Sequence, residues 1–418
     1  GNTVSGTSAS ILGGQSNTVA GARGVIGGGW LNTVTDTYGN IVGGFRNTVE
    51  GSGAFVGSGS YLHSKGDYSV IAGGERNNVT AKYGVVTGGY KNSAFGYQSF
   101  IGGGNANTAY ESGSTIVCGS RNIVHGFLGI IGGGWKNTVR KSYGSILGGH
   151  HNTVKGLSSF VGTGTALRIT GDYSVVVGGE NNNVTGTYAA VTGGSDNVIG
   201  GDYSFIGSGS FNVVSGPKAV IAGGSENVAS GLHTTVGGGW RNNATAEGAS
   251  ISGGADQRAA GNFSFVGGGE ANSVNGSAPG AVISGGFGNT VNGEGAFIGG
   301  GGLLVTSKTA SLVAAIGDGI GNIASGAYSV VVGGHANEAA DSFTFCGGGV
   351  NNIASSHFST VVGGRSNSAK SNSATIAGGQ SNTASAAFAS VLGGASNRAK
   401  GMHCTIGGGE GNTVFGDS

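Results

Sequence analysis

Apolar and polar positions along this chain follow a fifteen-residue cycle, seen in Asn77 to Lys91, NNVTAKYGVVTGGYK. With Asn77 as slot 1, the cycle starts at residue 2 and recurs in steps of fifteen to residue 272. It resumes at 289, 304 and 322 and continues to 412, giving 28 coils. Slot 1 is Asn except at Leu62, Leu167, Gln257 and Leu304. Slot 10 is Ile or Val throughout except Cys346, slot 3 is mostly Val early and Ala late, and slot 8 is small. Gly is usual at slots 5, 12 and 13. The unit divides into N-x-V-x-G-x-x and S-x-I-x-G-G-x-x. Each half is a short period-two strand followed by a glycine turn. Gly at this density excludes helix. A short fixed period marks a solenoid, and the expected fold is an all-β parallel β-solenoid with two short strands per coil. At about 4.8 Å per coil the rod would be roughly 130 Å long.

Alternation places slots 1, 3, 8 and 10 inside. A buried Asn must bond to backbone turns or to its copies in neighbouring coils. Gly at slots 5 and 12 is expected to supply positive φ or close packing. Slots 2 and 4 face outward from the first strand and read as a wet surface, with Thr18, Thr33, Glu50, Lys65, Arg140 and Lys155. Slot 9, outward from the second strand, instead carries Phe55, Phe100, Phe160, Phe205, Phe265, Phe297 and Phe345, together with Val25, Val70, Val85, Ile130 and Val175. So apolar a stripe predicts burial against another surface, and we expect chains to associate lengthwise along it. Slot 7 adds an aromatic row that includes Tyr68, Tyr83, Tyr173, Tyr188 and Phe343.

One rod is expected over 1–418, regular over 1–276 and 322–418. Over 277–321 the register slips by two residues near Pro279 and by three near Thr309 to Ala315, which predicts a bulge or protruding loop. A second period of 105 residues relates Trp30, Trp135 and Trp240, and implies duplication of a seven-coil block. Leu62 and Leu167 mark equivalent coils of that block and are expected to form small loops.

These half-units, shown well by IGGGWKNTVRKSYGSILGGHHNTVKG at 131–156, resemble the head domain of trimeric autotransporter adhesins. A viral or bacterial fibre built from similar repeats is the other resemblance. The adhesin head implies a left-handed β-roll, three of which pack side by side, and an extracellular role in binding host surface glycans or matrix proteins. The chain differs in lacking a neck, a coiled-coil stalk and a membrane-anchoring barrel, in its constant fifteen-residue unit and in its Gly-Gly turns.

The near balance of 20 Lys+Arg and 19 Asp+Glu argues against nucleic acid as main partner. There is no signal peptide or transmembrane run, so the chain reads as a processed product or a piece of a longer protein, and no membrane insertion is expected. Cys118, Cys346 and Cys404 lie on distant coils and read as small buried filler. Glycine clusters recur in every coil as turns and are not phosphate cradles. Asp is too scattered for a calcium roll. Adjacent His150 and His151 suit no chelate, and no convergent Ser/His/Asp group is visible, so neither cofactor nor catalysis is expected. An ice-binding plane needs a uniform Thr or Asn row, which Glu50, Lys65, Arg140, Lys155, Arg168 and Arg258 interrupt. Sequons at Asn78, Asn183, Asn243, Asn262 and Asn275 are expected by chance in this composition.

The best candidate binding surface is the turn row at slots 14 and 15. It places Trp30, Tyr90, Trp135 and Trp240 beside Arg46, Lys136 and Arg241, a mixture suited to glycans or protein partners. Two readings follow. One is a non-catalytic extracellular adhesin or receptor-binding rod, a homotrimer. The other is a structural fibre or filament subunit, on a virion or in a surface layer, whose partners are copies of itself; the uncapped ends GNTVSG and GNTVFGDS favour stacking or truncation.

Overall fold

A computed structural model describes residues 1–306 and 313–416. It comprises two units, Gly1–Tyr203 and Ser204–Ser418. Both are built from the same coil, and together they make about 27 turns of an all-β parallel solenoid. Nearly every strand is two residues long, and each pairs with the strand one coil away. Thr18–Val19 lies beside Thr33–Val34, and Val25–Ile26 beside Asn40–Ile41. In unit 1 the first strands run from Thr3–Val4 to Val198–Ile199 and the second strands from Ser10–Ile11 to Ala190–Val191. In unit 2 they run from Val213–Val214 to Thr413–Val414 and from Phe205–Ile206 to Thr405–Ile406. A third line of single parallel bridges joins slot-14 residues such as Gln15, Trp30 and Phe45. No helix occurs among the described residues, and therefore none long and apolar enough to cross a membrane.

Such short strands hold because their backbone bonds repeat from coil to coil. Thr18 N–H donates to Asn32 O at 2.8 Å and Val25 N–H to Gly39 O at 3.0 Å. Inside, Ile26, Ile41, Val19 and Val34 are fully buried, and so is the slot-1 Asn column. Within the column an Asn amide typically serves three backbone groups. Asn137 Nδ2 donates to Gly133 O and Gly149 O, both at 2.9 Å, and its Oδ1 accepts the N–H of Asn152 at 3.0 Å. The ladder is therefore mostly side chain to backbone, which satisfies the turns on both sides.

Leu62 and Leu167 do not form loops. Both are buried in the Asn column, and strands His63–Ser64 and Arg168–Ile169 keep register with their neighbours. Leu62 N–H still donates to Asn47 Oδ1 at 3.0 Å. At this coil the bulk has moved from slot 3 to slot 1: Ser64 replaces the usual Val and pairs with Ser69 Oγ at 2.6 Å. A volume exchange inside the coil thus reads in sequence as an irregularity.

The glycine expectation holds at slot 5 through close packing, while most of the positive glycine φ lies at a slot that was not expected to carry it. It falls mainly at slot 13, as at Gly134 with φ 91°, and at slot 12 only at Gly103, Gly238 and Gly348 with φ 152–155°. A β-carbon on Gly134 would lie 2.1 Å from Gly149 O and 2.6 Å from Asn137 Nδ2. Slot 5 serves close approach, as expected: a β-carbon on Gly126 would lie 2.0 Å from Lys141 O. Slots 7 and 15 take the left-handed conformation with ordinary residues, such as Tyr38 at φ 58° and Arg46 at φ 52°. Each costs on the order of 1 kcal/mol, offset by coil-to-coil bonds such as Arg46 N–H to Trp30 O at 2.9 Å.

The slip near Pro279 is a wider turn. Ser273–Val274 and Thr290–Val291 pair directly across it, as do Phe265–Val266 and Val282–Ile283. Part of the second slip, expected over Thr309 to Ala315, lies outside the described residues. Val305–Thr306 and Ala315–Ile316 on either side pair with both neighbouring coils.

Candidate functional site: an apolar sheet face and an aromatic turn row

The outer face of the second sheet is formed by slots 9 and 11. No Asp, Glu, Lys or Arg occupies either slot in any coil, although both slots 2 and 4 carry charge. Every slot-9 Phe is followed two residues later by Gly: Gly57, Gly102, Gly162, Gly207, Gly267, Gly299 and Gly347. Side chains at these two slots share a face, and the bare glycine lets the ring lie down. Ring atoms come within 3.4 Å of the β-carbon position at Gly102 and Gly267, and 3.2 Å at Gly347. Phe55, Phe205, Phe265 and Phe297 remain exposed, and Phe100, Phe160 and Phe345 are half-buried. Some coils without Phe fill slot 11 with exposed Val42, Val117, Leu147 and Val177 in unit 1, and with Val332, Val362 and Leu392 in unit 2, while others carry Gly, Ala, Ser or Thr there. The face is therefore uncharged and mostly apolar, with polar slot-9 residues such as Asn40, Thr115, Ser145, Thr235 and Ser250 among the rings. The Phe-x-Gly pairing was readable in the sequence, but its purpose appears only with the rings in place.

The thirteen second strands of unit 1, at about 4.8 Å spacing and with a strip about 10 Å wide, offer roughly 600 Å². That strip, polar rows included, lies at the upper end of the ~300–600 Å² of a typical monomer's largest apolar patch and approaches the ~800 Å² that one partner contributes to a standard interface.

The turn row is exposed, and the structure sorts its candidates into three groups. In unit 1, Trp30 packs on Phe45 with ring centres 5.0 Å apart. The Arg46 guanidinium sits 5.2 Å from Phe45 and 5.8 Å from Tyr61. Arg76 lies 5.6 Å from Tyr61 and 5.9 Å from Tyr90, and Lys91 lies 5.0 Å above Tyr90. Trp30, Arg46 and Tyr90 thus belong to one aromatic and cationic ribbon. Its linker is Tyr61, which the sequence reading did not single out. Bonds from Lys91 and from Arg76, the latter at 2.9 Å, hold the Tyr90 phenol below its usual range.

A second group joins Trp135 to Lys136 at 4.3 Å, His151 at 4.6 Å and His150 at 6.3 Å. In unit 2, Trp240 carries Arg241 at 4.4 Å, and Glu226 accepts from both. The Arg241 bond, then that of Trp240, holds the Glu226 carboxyl below the usual carboxylate range.

The slot-7 rings stack on one another. Tyr173, Tyr188 and Tyr203 are spaced 4.9 and 5.0 Å, and Tyr328, Phe343 and Phe358 are each 5.1 Å apart. Stacking covers their faces and leaves edges to solvent, which suits rigid turns better than a platform for a planar ligand.

Among the cysteines, Cys346 and Cys404 are buried as expected, but Cys118 is exposed. Cys118 occupies slot 12, where it lies at the surface with its Sγ 3.5 Å from Gly132 O. Burial pushes the Cys346 thiol up to about 11. Among the described residues no group of three or more His, Cys, Asp or Glu is placed to hold a metal ion.

A family model described as the grass antifreeze beta roll matches residues 155–253. No curated protein matches the chain. The match supports a repeat β-roll, and it names a different roll from the autotransporter head.

Proposed function

We propose that this β-roll is a non-catalytic rod that associates side by side with copies of itself along the outer face of its second sheet. The favoured assembly is a homotrimer at a cell or virion surface, with the aromatic and basic turns turned toward a surface glycan or matrix protein. The observation that carries the reading is the uncharged face of Phe rings laid over Gly. A sheet face exposed to water as a permanent state gains nothing from excluding every charged residue. The test is mass in solution by light scattering, for the wild type and for Phe100→Asp/Phe160→Asp. Wild type at three times 40.3 kDa and a monomeric double variant support the reading. A monodisperse wild-type monomer overturns it. Filaments of indefinite mass make the structural-fibre alternative primary.

The family match favours a second reading, ice binding. No charged residue occupies slot 2 or 4 between Arg168 and Arg258, and the match spans most of that window. In unit 2 the window is a flat row of Val213, Val228 and Asn243 in parallel register, with Ser215, Ser230 and Thr245 beside it. Thermal hysteresis that Val228→Lys abolishes and Phe160→Asp leaves intact would support ice binding over self-association.

A further inference from the structure

Unit 1 carries a depression of about 460 Å³ away from both surfaces described above. Gly126, packed closely against the Lys141 backbone, lies in its lining between Glu111 and Lys141 of the two flanking coils. Phe127 and Leu157 supply apolar wall, and His125, Arg140, Ser142 and Asp172 complete the lining. The volume falls within the range of small-molecule sites, on the order of 300–1,000 Å³.

Its charges are unevenly committed. Lys141 Nζ is bound to Asp172 Oδ1 at 3.1 Å, and Asp172 also accepts the N–H of Leu157 at 2.7 Å. The Leu157 amide, then Lys141, holds the Asp172 carboxyl below the usual range. Among the described residues, Arg140 and Glu111 make no ion pair. The His125 ring is fixed by stacking on Tyr110 at 4.4 Å, which in turn stacks on Phe95 at 5.4 Å. The fold does not demand these residues. One seven-coil block away, Arg140 corresponds to Thr35 and Thr245, His125 to Ala20 and Ser230, and Lys141 to Asp36 and Ala246.

We propose that this depression binds a carboxylated pyranose, the uronic-acid type of sugar. The carboxylate takes the planar fork of Arg140, the one uncommitted guanidinium here, in the bidentate geometry that suits it. Hydroxyl groups donate to Glu111 and exchange hydrogen bonds with Ser142. The carbon–hydrogen face of the ring lies against Phe127. Glu111 and Asp172 repel a dianion such as phosphate, so a single negative charge flanked by hydroxyls fits best. The site stands independently of self-association.

The test uses the full chain with methyl β-glucuronide, methyl β-glucoside and inorganic phosphate, read by saturation-transfer NMR and titration. Glucuronide is expected to bind at least about tenfold more tightly than glucoside, the effect of one charge-assisted pair. Arg140→Ala should abolish that preference, Arg140→Lys should restore part of it, and Arg121→Ala should leave it intact. Arg140 is exposed, so an unchanged melting curve is expected for its variants and keeps the comparison valid. Absence of glucuronide binding overturns the proposal. So does equal binding by Arg140→Ala, or phosphate binding as tight as glucuronide.

Discussion

Replacing Asn137 by Ala removes the amide that closes two turns and supports the next coil. The Asn137 side chain is fully buried. Its loss orphans Gly133 O, Gly149 O and the Asn152 N–H, bonded at 2.9, 2.9 and 3.0 Å. Each unsatisfied buried group costs roughly 1–3 kcal/mol. The void is polar, and a water molecule that enters it recovers part of the loss, so we expect a net cost of about 3 kcal/mol. In a solenoid the damage stays near the altered coil. The fitting assay is hydrogen exchange over residues 130–155, where protection should fall about a hundredfold, since 1.4 kcal/mol is tenfold. Asn137→Leu is the control. Leu62 and Leu167 show that leucine fits this column, yet it cannot serve the three backbone groups. It should therefore recover packing but not protection. Wild-type protection in Asn137→Leu would refute the claim that the amide bonds carry the energy.

Neighbouring glycines should respond very differently. Gly149→Ala, with its β-carbon 2.1 Å from Gly164 O, should cost several kcal/mol or prevent folding, whereas Gly148→Ala meets nothing nearer than 3.7 Å and should leave denaturant midpoints within about 0.5 kcal/mol of wild type. Trp135→Ala should weaken any glycan or matrix binding measured on arrays without changing the mass in solution; unchanged binding would remove the turn row from consideration. The Cys346 thiol is held neutral in the fold to about 11 against an ordinary 9.0. Its stabilising effect is complete below pH 9 and is lost as pH rises toward 11, so Cys346→Val should melt with a smaller alkaline decline than wild type. Exposed Cys118 should react with a thiol reagent in the native protein, and Cys346 only after unfolding.

The period, the two strands per coil and the inward slots were determined by the sequence itself, because a repeat writes the same burial constraint in every coil. Asn at slot 1 beside Ile at slot 10 leaves one arrangement in which a buried amide is satisfied and a β-branched core is closed. The apolar stripe from Phe55 to Phe345 was legible for the same reason. Other features depended on contacts between coils, which a linear pattern does not contain. Leu62 looked like a loop because its compensation, Ser64, is recognised only when both side chains meet in one cross-section. Positive φ at Tyr38 and Arg46 was unreadable because backbone bonds to the previous coil, and not residue type, hold those residues left-handed. Tyr61 gained its place between Arg46 and Arg76 only when stacking set three coils side by side. The depression beside Gly126 likewise appears only when stacking brings Glu111 and Lys141, thirty residues apart in sequence, to its two sides.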